Sequence, residues 1–510
     1  EVRSWLESGA AATSESTQAL SRLTGLPLAY LVEDLLAIDP EFAVAGCLLK
    51  SESRGQSAQL YEQLRQAWRN TSRPIRIASH MMLAAQERAE KIALTDDEEA
   101  MLARDVLLVD EAHTLEVAFS AVHSTSVHLH ALVKHASAIG RGVRKAAEAL
   151  EEEARQVAVE SGGAHGGLLL QEATGELAQR IEAFVREVKA INGQGRKKTE
   201  AHDAARQAAA ALDQFRSKGG HLSVTPKRRY PVITVGRASV ASLLRECVLR
   251  TPTLLVSATL YNTGTGAGFS PDYFLYTLGL RDHKSRCVTL PPVDVPWLRS
   301  AQFFVDASVS PPPAQQEDDT VWRAWHDSLA ARIHRIYTSA KGGVLVLCTS
   351  YDTAAELAKR LREDSALAPA VIQQSSARSA MQCKSDFEAL HRQRVRPLWL
   401  GVGNAWTGID LTDKTAHPQD DVALTDVVIA RLPFGVTRSL THQYRRERFA
   451  QAEFLEALKT LRQGAGRLIR RPGVLHRRLW VLDGRILQPS YKVMLNALSK
   501  TYGSPQFFSE

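Results

Sequence analysis

The chain has 510 residues but only five cysteines (Cys47, Cys247, Cys287, Cys348 and Cys383), and no two of them stand in a CxxC spacing. That scatter argues against a zinc or iron–sulfur site and fits a reducing, cytoplasmic setting. No apolar run approaches the roughly 18 residues a membrane span requires, so no membrane partner is expected. The first residues show no signal-peptide pattern. Also missing is any GxxxxGK[ST] string, the loop whose backbone amides and lysine cradle phosphates. Two stretches come near it. Gly193-Gln194-Gly195-Arg196-Lys197-Lys198-Thr199 has the wrong spacing, and Thr263 to Gly268 has glycines but no lysine. Both read as loops. His123, His128, His130 and His135 have no carboxylate or cysteine at ligand spacing, so no metal is expected there.

What is present is ordinary in bulk and uneven in detail. Hydrophobic residues make up 44% and charged residues 23%, as in a globular protein, and the length suggests about three domains. The net charge is +7, yet Arg431 to Arg485 alone holds 13 Lys and Arg against four Asp and Glu. Such a surplus is either a footprint for polyanions or a solvated basic face.

The stretch Val106-Leu107-Leu108-Val109-Asp110-Glu111-Ala112-His113 organises the rest. Its apolar run reads as a parallel strand buried on both faces. Ligands of open α/β sheets bind beyond the carboxyl ends of strands, where Asp110 and Glu111 would sit. Two acids there suit phosphoryl chemistry, one holding Mg²⁺ and the other orienting or deprotonating water. Upstream, residues 1–70 look helical, with amphipathic spacing from Ser57 to Trp68. A short strand at Pro74 to His80, a helix at Met81 to Arg88 and an acidic turn at Asp96 to Glu99 follow.

Downstream, Ser126 to His130 alternates like a strand. Ile139 to Val159 and Leu168 to Ile191 then read as helices of coiled-coil-like composition, separated by Gly-rich turns at Ser161–Gly167 and Gly193–Gly195. Thr253 to Thr259 is a second buried strand ending in Ser257 and Thr259, hydroxyls able to bond the neighbouring acids. Prolines 291–292 and 311–313 mark a linker, with a domain change near Pro296. A second α/β pattern follows. It has a helix at Val321 to Tyr337, a strand at Gly343 to Ser350 and a helix at Thr353 to Glu363. Further strands are expected at Pro397–Gly401, Asp426–Leu432 and Leu479–Asp483. The fold class is therefore α/β.

The most specific signal after the acids is Gln463-Gly464-Ala465-Gly466-Arg467-Leu468-Ile469-Arg470. On a helix, Gln463, Arg467 and Arg470 fall within about 60° of each other. Phe454, Leu458, Leu461, Ala465 and Leu468 take the opposite side, and Pro472 ends the helix. Gly464 and Gly466 each cost about 1 kcal/mol of helix stability relative to alanine, so a close approach should require them. Arginines presented this way suit a phosphoryl-transfer transition state.

Asp-Glu-Ala-His at 110–113, Ser257-Ala258-Thr259-Leu260, Ser270-Pro271-Asp272-Tyr273-Phe274, Trp406-Thr407-Gly408-Ile409-Asp410, Arg431-Leu432-Pro433-Phe434 and Gln463 to Arg470, in this order, resemble the superfamily 2 helicases. The finer resemblance is to the DinG/XPD group and, within it, to the CRISPR-associated DinG helicases of type IV-A systems. The resemblance implies two RecA-like motor domains with a mainly helical, arch-like insertion in the first. Residues 1–120 and 241–295 would form the first motor, 121–240 the insertion and 296–510 the second motor.

It also implies ATP and Mg²⁺ as cofactors, single-stranded DNA as the track with 5′→3′ polarity, and a CRISPR RNA-guided effector complex as partner. Asp110 would coordinate Mg²⁺ and Glu111 would activate water. His113 and Gln463 would sense the γ-phosphate, and Arg467 and Arg470 would reach it. Gly408 and Asp410 would help close the nucleotide site. Ser257 and Thr259 would couple that site to DNA, and Thr349, Ser350 and Tyr351 would contact the DNA backbone.

Three departures matter. Trp406-Thr407-Gly408 stands where many relatives carry Trp-Glu-Gly, so a Glu role does not transfer. Only Cys47 precedes the acids where iron–sulfur members place four cysteines, so no iron–sulfur cluster is expected. The family's phosphate loop lies upstream of all visible motifs, so the chain is expected to begin inside the first motor. The competing readings are an ATPase-inactive nucleic-acid-binding module and a metal-dependent nuclease. The nuclease would need acids beyond Asp110 and Glu111.

Overall fold

The computed structural model describes residues 78–90, 105–160, 168–170, 175–192, 200–217, 221–225, 231–261, 270–313, 317–434, 440–449 and 451–508. The chain divides into two compact units, 1–104 and 105–510. In the first, α1 (His80–Glu90) matches the helix expected from Met81. The other upstream expectations lie outside the described residues, except that His80 opens α1 rather than closing a strand. Both phosphate-loop-like stretches and the two Gly-rich turns also lie outside them.

The second unit opens with β1 (Leu107–Val109) and α2 (Leu115–Val122). The chain then runs through β2 (Ser124–His128), α3 (Leu129–Ile139), α4 (Arg141–Glu160), β3 (Leu168–Leu170), α5 (Gly175–Asn192), α6 (Glu200–Ser217), β4 (His221–Thr225) and β5 (Val232–Gly236). It returns through α7 (Ala241–Arg250), β6 (Thr253–Leu255) and α8 (Asp272–Thr277). β1 and β6 pair in parallel, Leu108 opposite Leu254.

Burial corrects the expectation for both strands. Val109 is buried, but Leu108 is 64% and Leu254 48% exposed, because among the described residues this sheet has two strands and an open face. The intervening segment is also not a plain coiled coil. Leu168–Leu170, expected as helix, is a strand of an antiparallel sheet ordered β2-β5-β4-β3. Helices α3 to α6 share one core with it, around Leu150, Ile181, Phe184, Leu212 and Ile233.

The last part runs β7 (Gln302–Asp306), α9 (Asp319–Ser339), β8 (Gly343–Leu347), α10 (Tyr351–Leu361), β9 (Val371–Gln373), α11 (Ala380–Arg392), β10 (Leu398–Gly401), β11 (Leu424–Ile429), α12 (Leu440–Arg448), α13 (Ala452–Ala465), β12 (Arg478–Val481), α14 (Lys492–Tyr502) and β13 (Gln506–Phe508). Its seven strands form one parallel sheet, ordered β13-β7-β12-β11-β8-β10-β9. Period-two alternation sends Leu345, Leu347, Val427 and Ile429 into one core and Val344, Val346 and Val428 into another. Strands buried on both faces this way read as unbroken apolar runs. β8 and β11 were legible for that reason, while β7, β9 and β13 were not anticipated.

Candidate nucleotide site and the helix beside it

Val109 hands the chain to the acids through a sharp turn. Glu111 has φ 45° and ψ 44°, a left-handed conformation that costs a non-glycine residue energy. Ala112 N–H, donating to Val256 O at 2.9 Å, fixes the turn to the neighbouring strand. Asp110 and Glu111 both stay exposed, and Asp110 Oδ1 accepts the Glu111 amide at 2.9 Å.

From Glu111 a chain of polar groups crosses to Gln463 on α13. Ser257 Oγ donates to Glu111 Oε2 at 3.1 Å. His113 Nδ1 lies 2.6 Å from Ser257 Oγ, and its Nε2 lies 2.5 Å from the Gln463 amide nitrogen. One proton arrangement satisfies all three: Gln463 donates to Nε2, the Nδ1–H donates to Ser257, and Ser257 donates to Glu111. Thr259 joins through its amide, which donates to Ser257 Oγ at 3.2 Å.

Arg467 Nη1 donates to Ile409 O at 2.5 Å. Burial and the adjacent Arg470 charge bring its guanidinium down to about 10, against the pull of Glu111 and Asp410. Burial pushes the Asp410 carboxyl up, but the Thr412 hydroxyl and amide and the Arg470 charge outweigh it and hold it low. Gly408 has φ 80°, open to glycine without strain. Glu111, His113, Ser257, Thr259, Gln463 and Arg467 are thus brought together, with Asp410 and Arg470 alongside.

Thr349, Ser350 and Tyr351 are placed elsewhere, beyond β8. Ser350 Oγ caps α10 by accepting the Thr353 amide at 3.1 Å. Thr349 lines a cavity of about 220 Å³ with Trp406, Pro433, His442 and Glu456.

The helix carrying Gln463 departs from expectation. α13 ends at Ala465, before Pro472, and Arg467 and Leu468 amides bond Gly464 and Ala465 carbonyls in tight turns. The arginines therefore leave the helix, which lets Arg467 turn toward Ile409. Gly464 is required by a close approach: a Cβ there would lie 2.5 Å from the Trp406 ring and 2.8 Å from Leu347 Cδ1. Gly466 meets no such neighbour nearer than 3.2 Å. Gly464→Ala should destabilise the protein by about 1–3 kcal/mol through overpacking, despite alanine's better helix propensity. Chemical denaturation midpoints would check it, with Gly466→Ala close to neutral.

Sequence reasoning missed two groups. Arg462 Nη1 donates to Tyr261 O at 2.7 Å and Nη2 to Ala258 O at 3.4 Å, tying α13 to the turn after Ser257. Its only signal was the basic surplus. The other is α12. Its Thr441 hydroxyl meets Ser120 of α2 at 2.7 Å. Its buried Arg445 pairs with Glu116 of α2, donates to Tyr273 Oη of α8 at 2.8 Å and reaches Glu456 Oε1 of α13 at 3.2 Å. Its Tyr444 ring meets His221 of β4 edge-on at 5.5 Å. Burial raises the Glu116 carboxyl, partly offset by Arg445. Burial also pushes Glu456 up, but Lys459 and Arg445 prevail and hold it at about 2.

His442, on the same helix, is brought down to about 4, chiefly by burial and by the charges of Arg445, Arg446 and Lys459, against Glu456. A histidine neutral in the fold and protonatable when unfolded stabilises fully above its unfolded pKa, near 6.5. That contribution is lost as pH falls toward about 4. Glu456 acts in the same direction below its unfolded pKa. Melting temperature should therefore drop as pH falls from about 6.5 to 4, with a shallower slope in His442→Gln.

Among the described residues no group of three or more His, Cys, Asp or Glu is placed to hold a metal ion, and no helix is long and apolar enough to cross a membrane. Asp110 and Glu111 are a hard-oxygen pair that suits Mg²⁺ completed by water and phosphate oxygens.

No curated protein matches the chain in sequence. Residues 333–501 match the family of the helicase C-terminal domain. Among solved structures, an apo XPD aligns with a TM-score of 0.51 at 16% identity, covering 81% of this chain and 80% of that one. An XPD helicase aligns at 0.50 and 16%, covering 81% and 71%. Residues 333–501 are thus similar to helicase C-terminal domains, in a chain whose fold is that of the XPD structures.

Proposed function

We propose that the chain is an ATP-dependent DNA helicase or translocase of superfamily 2, in the DinG/XPD group, with two RecA-like motors at 1–120 with 241–295 and at 296–510, and an arch-like insertion at 121–240. The observation that carries this reading is the polar chain from Gln463 through His113 and Ser257 to Glu111. It joins the catalytic-type acid of one sheet to the arginine-bearing turn of the other. A pure binding module has no use for that wiring.

In this reading Asp110 holds Mg²⁺, which when bound with ATP screens the phosphate charge. Glu111 accepts the proton of the attacking water, and its position is fixed by the Ser257 hydroxyl. His113 and Gln463 register the γ-phosphate, and Arg467 and Arg470 balance the charge that develops on it. Gly408 and Asp410 shape the arginine side of the site. Ser257 and Thr259 pass the change to the nucleic-acid path, where Thr349, Ser350 and Tyr351 contact the backbone. Resemblance to the type IV-A CRISPR-associated DinG helicases supports 5′→3′ movement on single-stranded DNA beside an RNA-guided complex. The test is ATP hydrolysis by the full-length protein with and without single-stranded DNA. DNA binding without hydrolysis would favour the inactive binding module, and strand cutting with Mg²⁺ alone would favour the nuclease.

A further inference from the structure

Part of the basic surplus between Arg431 and Arg485 is neutralised inside the fold. Arg445 lies between Glu116 and Glu456, Arg471 and Arg477 reach Asp421, Arg478 reaches Asp426 and Arg485 reaches Asp483. It is therefore not a simple basic face. Arg431 is one of its cations that pair with no carboxylate among the described residues. It follows β11 at the carboxyl end of the seven-stranded sheet, half-buried, and it donates no hydrogen bond among the described residues. Its Nε is buried without an acceptor. The Asp483 carboxylate, whose charge favours the Arg431 cation, is already engaged. Asp483 Oδ1 accepts the Arg485 amide and Nε, and Oδ2 accepts the Leu432 amide and Arg485 Nη2. Burial and the Arg485 charge both act against the Arg431 cation.

A buried guanidinium N–H without an acceptor is costly, and an anion would remove that cost. The indole of Trp322, half-buried in the first turn of α9, lies 5.8 Å from the Arg431 guanidinium carbon, within cation–π range. Trp322 in turn meets Trp325 edge-on at 5.7 Å and His326 at 5.8 Å, and Trp325 Nε1 and His326 Nε2 are also buried without partners. The carboxyl edge of an open α/β sheet is where ligands bind. β8 is the next strand along this edge, and Thr349 beyond it shares its cavity with Pro433, two residues from Arg431.

We propose that Arg431 and Trp322 form a nucleotide platform on this edge, Arg431 taking a backbone phosphate of single-stranded nucleic acid and Trp322 stacking a base. An anion site flanked by a half-buried indole fits a nucleotide better than a free phosphate, because stacking on an aromatic ring tolerates any base. The inference rests on the nucleic-acid reading above and adds residues to it.

The test is binding of a fluorescent dT oligomer to the full chain without nucleotide, across a salt series. Arg431→Ala should weaken binding about tenfold and reduce the log–log salt slope by about 0.7, the share of one phosphate on a single strand. Trp322→Ala should weaken it about tenfold with the slope unchanged. Arg431→Lys and Trp322→Phe, chosen to fold if the alanine variants do not, should keep part of the affinity. In Trp322→Phe the dT-induced quenching of tryptophan emission should shrink. Wild-type binding that all four variants retain, with equal salt slopes, would overturn the platform alone. Absence of dT binding by the wild type would overturn both the platform and the nucleic-acid reading.

Discussion

Glu111→Gln should reduce DNA-stimulated ATP hydrolysis about a thousandfold, the middle of the range for a positioned general base, while leaving DNA affinity within about twofold. The amide is isosteric but cannot take the proton of water. Glutamine can still accept from Ser257 through its carbonyl oxygen, so the His113–Gln463 link should persist. The two readouts separate chemistry from folding. Hydrolysis that survives this change would remove Glu111 from the role of base and leave the polar chain as a structural tie between the sheets. Ser257→Ala offers a graded comparison. It removes the donor that fixes Glu111 and the acceptor for His113 together, so a smaller loss is expected, expressed in kcat more than in KM.

Arg445→Ala should be strongly destabilising, costing about 3 kcal/mol, because it leaves the half-buried Glu116 carboxylate without its cation and Glu456 with Lys459 alone. Glu116 and Glu456 both depend on Arg445, and Tyr273 bonds to it through the hydroxyl. The size of the effect reflects the groups left behind more than the net worth of the ion pair. Arg445→Ala combined with Glu116→Gln should therefore recover part of the loss, since a neutral amide is easier to bury than an unpaired charge. Denaturant midpoints of the single and double variants measure this, and strict additivity would show that Arg445 and Glu116 do not interact.

The legible parts of the fold were those written in short-range patterns. β8 and β11 announce themselves as apolar runs because helices cover both faces of the sheet. The acids, the Ser257–Thr259 hydroxyls and the Gln463–Arg470 stretch stood out because their residue types suit phosphoryl chemistry, and the fold brings Glu111, Ser257 and Gln463 to one place. Burial of β1 and β6 was misread, since an apolar run does not say how many strands lie beside it. The end of α13 was misread for a related reason. The residues after Ala465 keep a helical pattern of charge, but the pull of Ile409 O on Arg467 comes from 58 residues away. Arg445 and Arg431 look alike in sequence, each an arginine in a basic stretch. Their difference is three-dimensional: one meets carboxylates contributed by Glu116 and Glu456, while the other's neighbouring carboxylate is already taken.

Helix α12 has an implication for how such chains can change over time. It touches β4 through Tyr444, α2 through Thr441 and Arg445, and α13 through Glu456. The antiparallel sheet module between β1 and β6 is therefore not a portable cassette. Swapping it for the corresponding segment of a relative would separate His221 from Tyr444, and a new partner would have to arrive at both positions together. Such a chain can vary its module by small, matched steps, with α12 keeping the record of each.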